Sequence, residues 1–183
     1  MSTTPGSSSG LSSGTPDLLA RCARFVYEES ELLDSAALDR WLDLFDDESI
    51  YWLPMEAGAT TPLDELNLVY DDRPRLGDRV ARLQSGFAFS ESPESRTSHL
   101  LSNLRLLDAA EYAGSVDARG LGEGEVALAA RGTVARLRRG ECDHFHLKVV
   151  WALRPDGESF KIRMKRVDLL NAREPLPVLT FLL

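Results

Sequence analysis

His144 and His146 stand two residues apart in a stretch that alternates polar and apolar side chains. On a strand, that spacing turns both imidazoles to one side, within reach of a single metal ion. A complete site needs a third or fourth ligand, and Asp143 projects to the opposite face of a regular strand. Two polar strand positions without such a ligand read more simply as solvent or interface contacts. The cysteines, Cys22 and Cys142, do not complete the set. A Rieske centre takes two cysteines and two histidines in paired short spacings, but Cys22 has no histidine beside it and Cys142 has no second cysteine. A trio of two histidines and one carboxylate, as a mononuclear iron site requires, is also missing. The chain is expected to carry no metal and no cofactor of its own.

A second set of residue types suits proton transfer. His99, Tyr51 and Asp43 supply an imidazole, a phenol and a carboxylate, with His99 as the base because imidazole titrates nearest neutrality. Other catalytic signatures fail. Residues 120–124, GLGEG, precede no lysine and no helical pattern that would cradle phosphate, and no serine-hydrolase or dinucleotide motif is present.

Composition narrows the function classes. The 183 residues are 43% hydrophobic and 27% charged, enough for one soluble domain with a core that needs no staples. A net charge of −8 argues against nucleic acid, whose phosphates call for a basic surface. Two cysteines make no disulfide framework, and Cys22 lies in an apolar helical stripe as a reduced, buried thiol. The opening lacks a signal peptide's basic and apolar regions, and no apolar run reaches membrane-spanning length, so a cytoplasmic protein is expected. The Arg136, Arg138, Arg139 run reads as a solvated strand end.

The elements that must position these groups follow from periodicity. Residues 1–14 are a Ser/Gly/Thr tail with almost nothing to bury, and disorder is expected there; residues 15–183 form a single domain. Thr15, Pro16 and Asp17 signal a helix start, and Leu18, Cys22, Phe25, Val26 and Glu29 follow on one stripe. Leu38, Trp41, Leu42 and Phe45 predict a second helix. Residues 50–53 read as a strand ended by Pro54, residues 56–64 as a loop, and Leu66, Leu68 and Tyr70 as a strand. Asp71, Asp72 and Pro74 open a central helix with Leu76, Val80, Leu83 and Phe87 along one stripe and a stop at Gly86. Arg75, Arg79 and Arg82 make its outer face basic.

After a polar loop at residues 93–95, a strand places Leu100, Leu104 and Leu106 inward and His99, Leu101, Asn103 and Arg105 outward. Residues 111–124 read as a loop, and residues 125–137 as a strand with Val126, Leu128, Ala130 and Val134 on one side. The cleanest strand, 144–154, turns Phe145, Leu147, Val149, Trp151 and Leu153 one way and His144, His146, Lys148 and Arg154 the other. A turn at Pro155, Asp156 and Gly157 returns a strand with Phe160, Ile162 and Met164 on one face and Lys161, Arg163 and Lys165 opposite. A β-bulge then shifts the parity to Val167 and Leu169. Helices first and mostly antiparallel strands afterwards predict an α+β domain, a curved sheet with helices over one side.

Several of these stretches are familiar together. Asp71-Asp72-Arg73, Arg79-Val80, Arg82-Leu83, Ser95-Arg96-Thr97, His99 and Ser102-Asn103 run through the centre of the chain. Trp41-Leu42-Asp43-Leu44-Phe45 and Tyr51-Trp52-Leu53-Pro54 precede them, and Leu170-Asn171, Leu176-Pro177 and Leu179-Thr180-Phe181-Leu182 follow. From about Leu18 to its end the sequence resembles the small (beta) subunit of Rieske-type aromatic-ring-hydroxylating dioxygenases. The resemblance implies a cone-shaped, cystatin-like fold shared with nuclear transport factor 2 and with small isomerases and dehydratases. It implies a structural subunit of an oxidoreductase complex, three copies assembled with three catalytic alpha subunits. Those would hold the Rieske [2Fe-2S] cluster and a mononuclear Fe(II), take NADH-derived electrons through a reductase and ferredoxin, and add O₂ to an aromatic ring as a cis-diol. Arg96, His99, Asn103 and Arg105 are then the candidate alpha-subunit contacts. The rival expectation is a stand-alone cone-fold isomerase or dehydratase that uses His99, Tyr51 and Asp43.

Overall fold

Helix α1, Gly14–Asp34, buries the stripe of Cys22, Phe25, Val26, Leu32 and Leu33. The computed structural model describes residues 14–56, 58–85, 95–177, 179 and 181–183. Apart from Gly14, the expected tail therefore lies outside the described residues. Thr15 is already helical, so Pro16 falls in the first turn, where its missing N–H breaks no helical hydrogen bond. Helix α2, Leu38–Leu42, is shorter than its periodicity predicts, because Phe45 opens strand β1, Phe45–Pro54, and pairs with Ile162. Trp41 stays helical and meets the Phe45 ring edge-on at 4.7 Å. Strand β2, Asn67–Asp72, takes in the two aspartates expected at the start of the next helix, α3, Arg73–Gln84. The capping role survives: Asp72 accepts the Arg75 N–H at 3.0 Å. Leu76 and Val80 are buried, while Phe87 and the stop at Gly86 lie outside the described residues.

Strands β3 (Arg96–Leu107), β4 (Val126–Arg138), β5 (Glu141–Asp156) and β6 (Ser159–Leu169) complete one six-stranded sheet in the order β2-β1-β6-β5-β4-β3. Every neighbour is antiparallel except the parallel pair β1 and β6. A short helix, α4, Ala109–Ser115, occupies part of the segment expected to be a loop, with Asp108 accepting the Glu111 N–H at 2.7 Å.

Two bulges decide which side chains face the interior. In β3 the register slips between Ser102 and Arg105, and Asn103 sits at φ 54°. Asn is among the few non-glycine residues that accept this left-handed backbone. The extra residue reverses the parity. Leu104 and Leu106 pack inward as expected, but ahead of the bulge Leu101 and His99 turn inward and Leu100 is 68% exposed. In β6 the extra residue is Arg163, between the pairs Leu153–Ile162 and Ala152–Met164. The bulge thus precedes its expected place. Met164 swings to the second face, and Lys165 swings into the interior.

The first face of the sheet packs under α1, α2, α3 and the C-terminal Phe181, Leu182 and Leu183, and this is the main core. Phe145, Leu147, Val149, Trp151 and Leu153 all lie in it, as their alternation predicts. The second face divides in two. Trp52, Tyr112, Val116, Val150 and Met164 form a smaller core under α4 and the loop at Ala59. The rest of that face, at the far ends of β3, β4 and β5, stays open.

Candidate functional site

The main core encloses two oppositely charged side chains. Glu29 from α1 and Lys165 from β6 meet there, 1% and 2% exposed, with their charged atoms 2.5 Å apart. The indole of Trp41 donates to Glu29 Oε1 at 3.0 Å and that of Trp151 to Oε2 at 2.9 Å. The Lys165 ammonium lies 5.7 Å from the Trp41 ring centroid and 6.0 Å from that of Tyr51. Burial pushes the Lys165 pKa down, against the charge and hydrogen bond of Glu29. The Tyr51 hydroxyl donates to the Leu183 carbonyl at 3.1 Å and accepts the Leu183 N–H at 3.0 Å. Burial raises its pKa. Each polar group in this cluster already has a protein partner, and large rings occupy the space around it.

The proposed acid–base trio is not assembled. Tyr51 is committed to Leu183, and Asp43 is an exposed residue at the end of α2 whose carbonyl accepts from Lys161. His99 finds a different carboxylate. Its Nδ1 lies 2.5 Å from Asp34 Oδ1, its backbone N–H donates to Oδ2 at 2.8 Å, and the Thr97 hydroxyl donates to Oδ1 at 2.9 Å. Burial raises the Asp34 pKa, but the His99 ring, backbone N–H and charge, with Thr97, outweigh it and hold the carboxyl below its ordinary range. The His99 side chain is 6% exposed and its Nε2 is buried without a partner. This dyad clasps the end of α1 to an edge strand. It covers backbone that would otherwise offer hydrogen bonds to another chain.

Of the other expected contacts, Arg96 and Asn103 are exposed on β3, and Arg105 pairs with Glu111 at the surface at 2.5 Å. Reading His99 with them as outward-facing is corrected by the parity ahead of the bulge. His144 and His146 are both exposed and share a face as expected. His144 Nε2 lies 3.7 Å from Cys142 Sγ, and His146 Nδ1 lies 3.1 Å from the Thr133 hydroxyl. Among the described residues no three His, Cys, Asp or Glu side chains converge as a metal site would require. Arg136, expected as a solvated strand end, is 7% exposed and pairs with Asp143 at 2.5 Å.

Besides Arg136, sequence reasoning missed the burial of two further cations, Lys165 and Arg166. Arg166 Nη1 donates to the carbonyls of Ala59 and, at 2.8 Å, Val116, while Nε and Nη2 reach Asp168 Oδ1 at 2.9 and 2.6 Å. Its guanidinium stacks on Trp52, 4.5 Å from the ring centroid. It ties the Ala59 loop and α4 to the second face.

A family model described as "Ring hydroxylating beta subunit" matches residues 28–173. The small subunit of 2-halobenzoate 1,2-dioxygenase from Burkholderia cepacia is 37% identical over 92 residues, covering 48% of this chain and 56% of that one. The small oxygenase component of the p-cumate 2,3-dioxygenase system of Pseudomonas putida is 33% identical over 153 residues, 82% of this chain and 78% of that one. Among solved structures, the beta subunit of benzoate 1,2-dioxygenase from Burkholderia mallei superposes with a TM-score of 0.69 at 25% identity, over 90% of this chain and 97% of that one.

Proposed function

The chain belongs to the ring-hydroxylating beta subunit family, and we propose that it serves a dioxygenase as the small subunit that performs no chemistry itself. The observation that carries the reading is the filled interior. Glu29 and Lys165 neutralise each other between Trp41 and Trp151, and Tyr51 is held by Leu183, so the ionisable groups inside the main core are committed to one another and to the chain's own backbone. In this reading the partner is a large alpha subunit holding the Rieske [2Fe-2S] cluster and the mononuclear Fe(II), supplied with NADH electrons through a reductase and ferredoxin. Three copies of each chain assemble. The named relatives act on aromatic carboxylates, so a benzoate-type acid is the first substrate class to try.

The role of this chain is to hold the alpha subunits in register. Catalytic groups lose efficiency steeply when displaced, and a rigid partner fixes their spacing. We place the contact with alpha on β3, through Arg96, Asn103 and Arg105, with His99 acting from beneath by fixing the strand edge to Asp34. The test is Arg96→Glu with Arg105→Glu, co-expressed with the large subunit. Removing a buried interfacial charge partner costs about 2–5 kcal/mol, so the double reversal should release the large subunit while the small chain stays folded. Turnover of a small carbonyl compound by the isolated wild-type chain, abolished by His99→Ala, would refute the reading in favour of the isomerase or dehydratase alternative.

A further inference from the structure

Leu182 and Leu183 lie in the main core, 4% and 2% exposed, yet belong to no helix and no strand. The stretch before them contains Pro175 and Pro177, which lack the N–H that a sheet ladder needs. Among the described residues from 175 to 182, none makes a main-chain hydrogen bond to the sheet. Leu183 has both backbone groups bonded, and both bonds go to one side chain. Its N–H donates to the Tyr51 hydroxyl at 3.0 Å, and its carbonyl accepts from that hydroxyl at 3.1 Å. Trp41 and Phe45 meet the Tyr51 ring edge-on at 5.9 and 6.4 Å, so the seat is walled by rings. Phe181 is only half-buried, against the Phe145 ring at 5.2 Å and with the Arg136 guanidinium 5.3 Å from its centroid. A core side chain on a central strand leaves only when the sheet opens. Leu182 and Leu183 leave when one latch and their own packing give way.

We propose that Leu182 and Leu183 are the displaceable occupant of a binding site in the main core, which takes a small, uncharged, apolar amide with the Tyr51 hydroxyl as its anchor. The amide is the group that copies what Leu183 offers, an acceptor and a donor side by side, and a hydroxyl answers both. The apolar body replaces two leucine side chains among rings. The ligand is uncharged because Lys165, 6.0 Å from the Tyr51 ring centroid, is already neutralised by Glu29, and a further charge would be buried without a counter-ion. The chain's own segment competes for the seat, so the apparent affinity of a free ligand is reduced by the fraction of molecules in which that segment has left. The inference goes beyond pairing with a large subunit and concerns only what fills the interior.

Hydrogen exchange on the full chain tests the latch, and titration with benzamide tests the seat. Tyr51→Phe should speed exchange of the Leu183 amide about tenfold or more and leave Val149 and Val150 at their wild-type rates. Benzamide added to wild type should speed Leu183 exchange by displacing it. Leu182→Ala with Leu183→Ala empties the seat, and apolar voids of about 150 Å³ stay dry and admit a benzene ring. This variant should bind benzamide at least about tenfold more tightly than wild type, and adding Tyr51→Phe should remove that gain. Benzoate should gain nothing. Where circular dichroism shows the double variant unfolded, Leu183→Ala alone replaces it, with the same signs expected. Exchange that rises equally at Leu183 and in β5, or not at all, makes Tyr51 a plain stability residue and overturns the proposal. So does a Leu183 rate indifferent to benzamide, a gain that survives Tyr51→Phe, or an equal gain for benzoate. Failure of the Arg96 and Arg105 reversal to release the large subunit bears only on the family reading, so the two outcomes stay separable.

Discussion

Glu29→Gln is the sharpest perturbation of the filled interior. Glu29 accepts two indole N–H bonds and an ammonium with its two carboxylate oxygens, and all four groups lie buried. A glutamine has one acceptor oxygen, so its NH₂ must face either an indole N–H or the Lys165 ammonium, donor against donor. The lysine is left as an uncompensated buried charge, which costs about 3–5 kcal/mol. For a chain of this size that corresponds to a melting-temperature drop of roughly 6–20 °C, read by circular dichroism at neutral pH. The pH dependence has a definite sign. With Glu29 gone, burial acts on Lys165 unopposed, so its folded pKa falls further below the unfolded value of about 10.4. Between those two values the unfolded chain binds the extra proton, so the variant's stability rises with pH and the deficit shrinks toward alkaline conditions. Adding Lys165→Met removes the stranded charge, and a double-mutant cycle should return a coupling of at least about 2 kcal/mol. A drop under about 2 °C, or a deficit that grows with pH, would refute the account.

Two other outcomes follow from the same geometry. His99→Leu should destabilise the chain by about 1–3 kcal/mol at neutral pH, since Asp34 loses its ring partner while remaining partly buried. Because Asp34 is held below its ordinary range, its contribution is present above the unfolded pKa of about 3.9 and lost as pH falls through the folded value; the wild-type advantage should vanish in strong acid. Native thiol titration should modify the exposed Cys142 and spare Cys22, whose thiol burial pushes up to about 11, while both react after denaturation. Rapid native labelling of Cys22 would contradict its packing.

Alternation predicted the centre of the sheet well because β5 has neighbours on both sides and one apolar face against the helices. Phe145 through Leu153 could be assigned from sequence alone. The bulged strands, β3 at the edge and β6 inside the sheet, were harder. One extra residue at Asn103 and another at Arg163 each switched the parity along its strand, and composition does not count residues against a partner strand. Asn103 carried a usable signal, as asparagine accepts the left-handed backbone that such a bulge demands. Asp108 followed three residues later by Glu111 was a capping pattern that would have found α4. The partners of His99 and Lys165 were not legible. Asp34 lies 65 residues from His99 and Glu29 lies 136 from Lys165, and only the completed fold selects them from among many carboxylates.

The correction at His99 changes what the central motif does. On a regular strand, His99 would share an outward face with Arg105, and the whole motif would be a contact surface. The bulge instead divides it between two tasks. Thr97 and His99 turn toward α1 and bind Asp34, while Arg96 and Ser98 remain exposed on the same strand. An edge strand that must present side chains to a partner cannot also leave its free backbone to pair at random. Fastening alternate residues to α1 meets both demands, because the clasp occupies an edge N–H and fixes the strand from which Arg96 and Arg105 project. The buried Glu29–Lys165 pair sits on the same helix one and a half turns earlier, so α1 is pinned at two points to opposite parts of the sheet. Both pins hold α1 over the main core, and the exposed side chains available to a partner lie on the outer strands and turns.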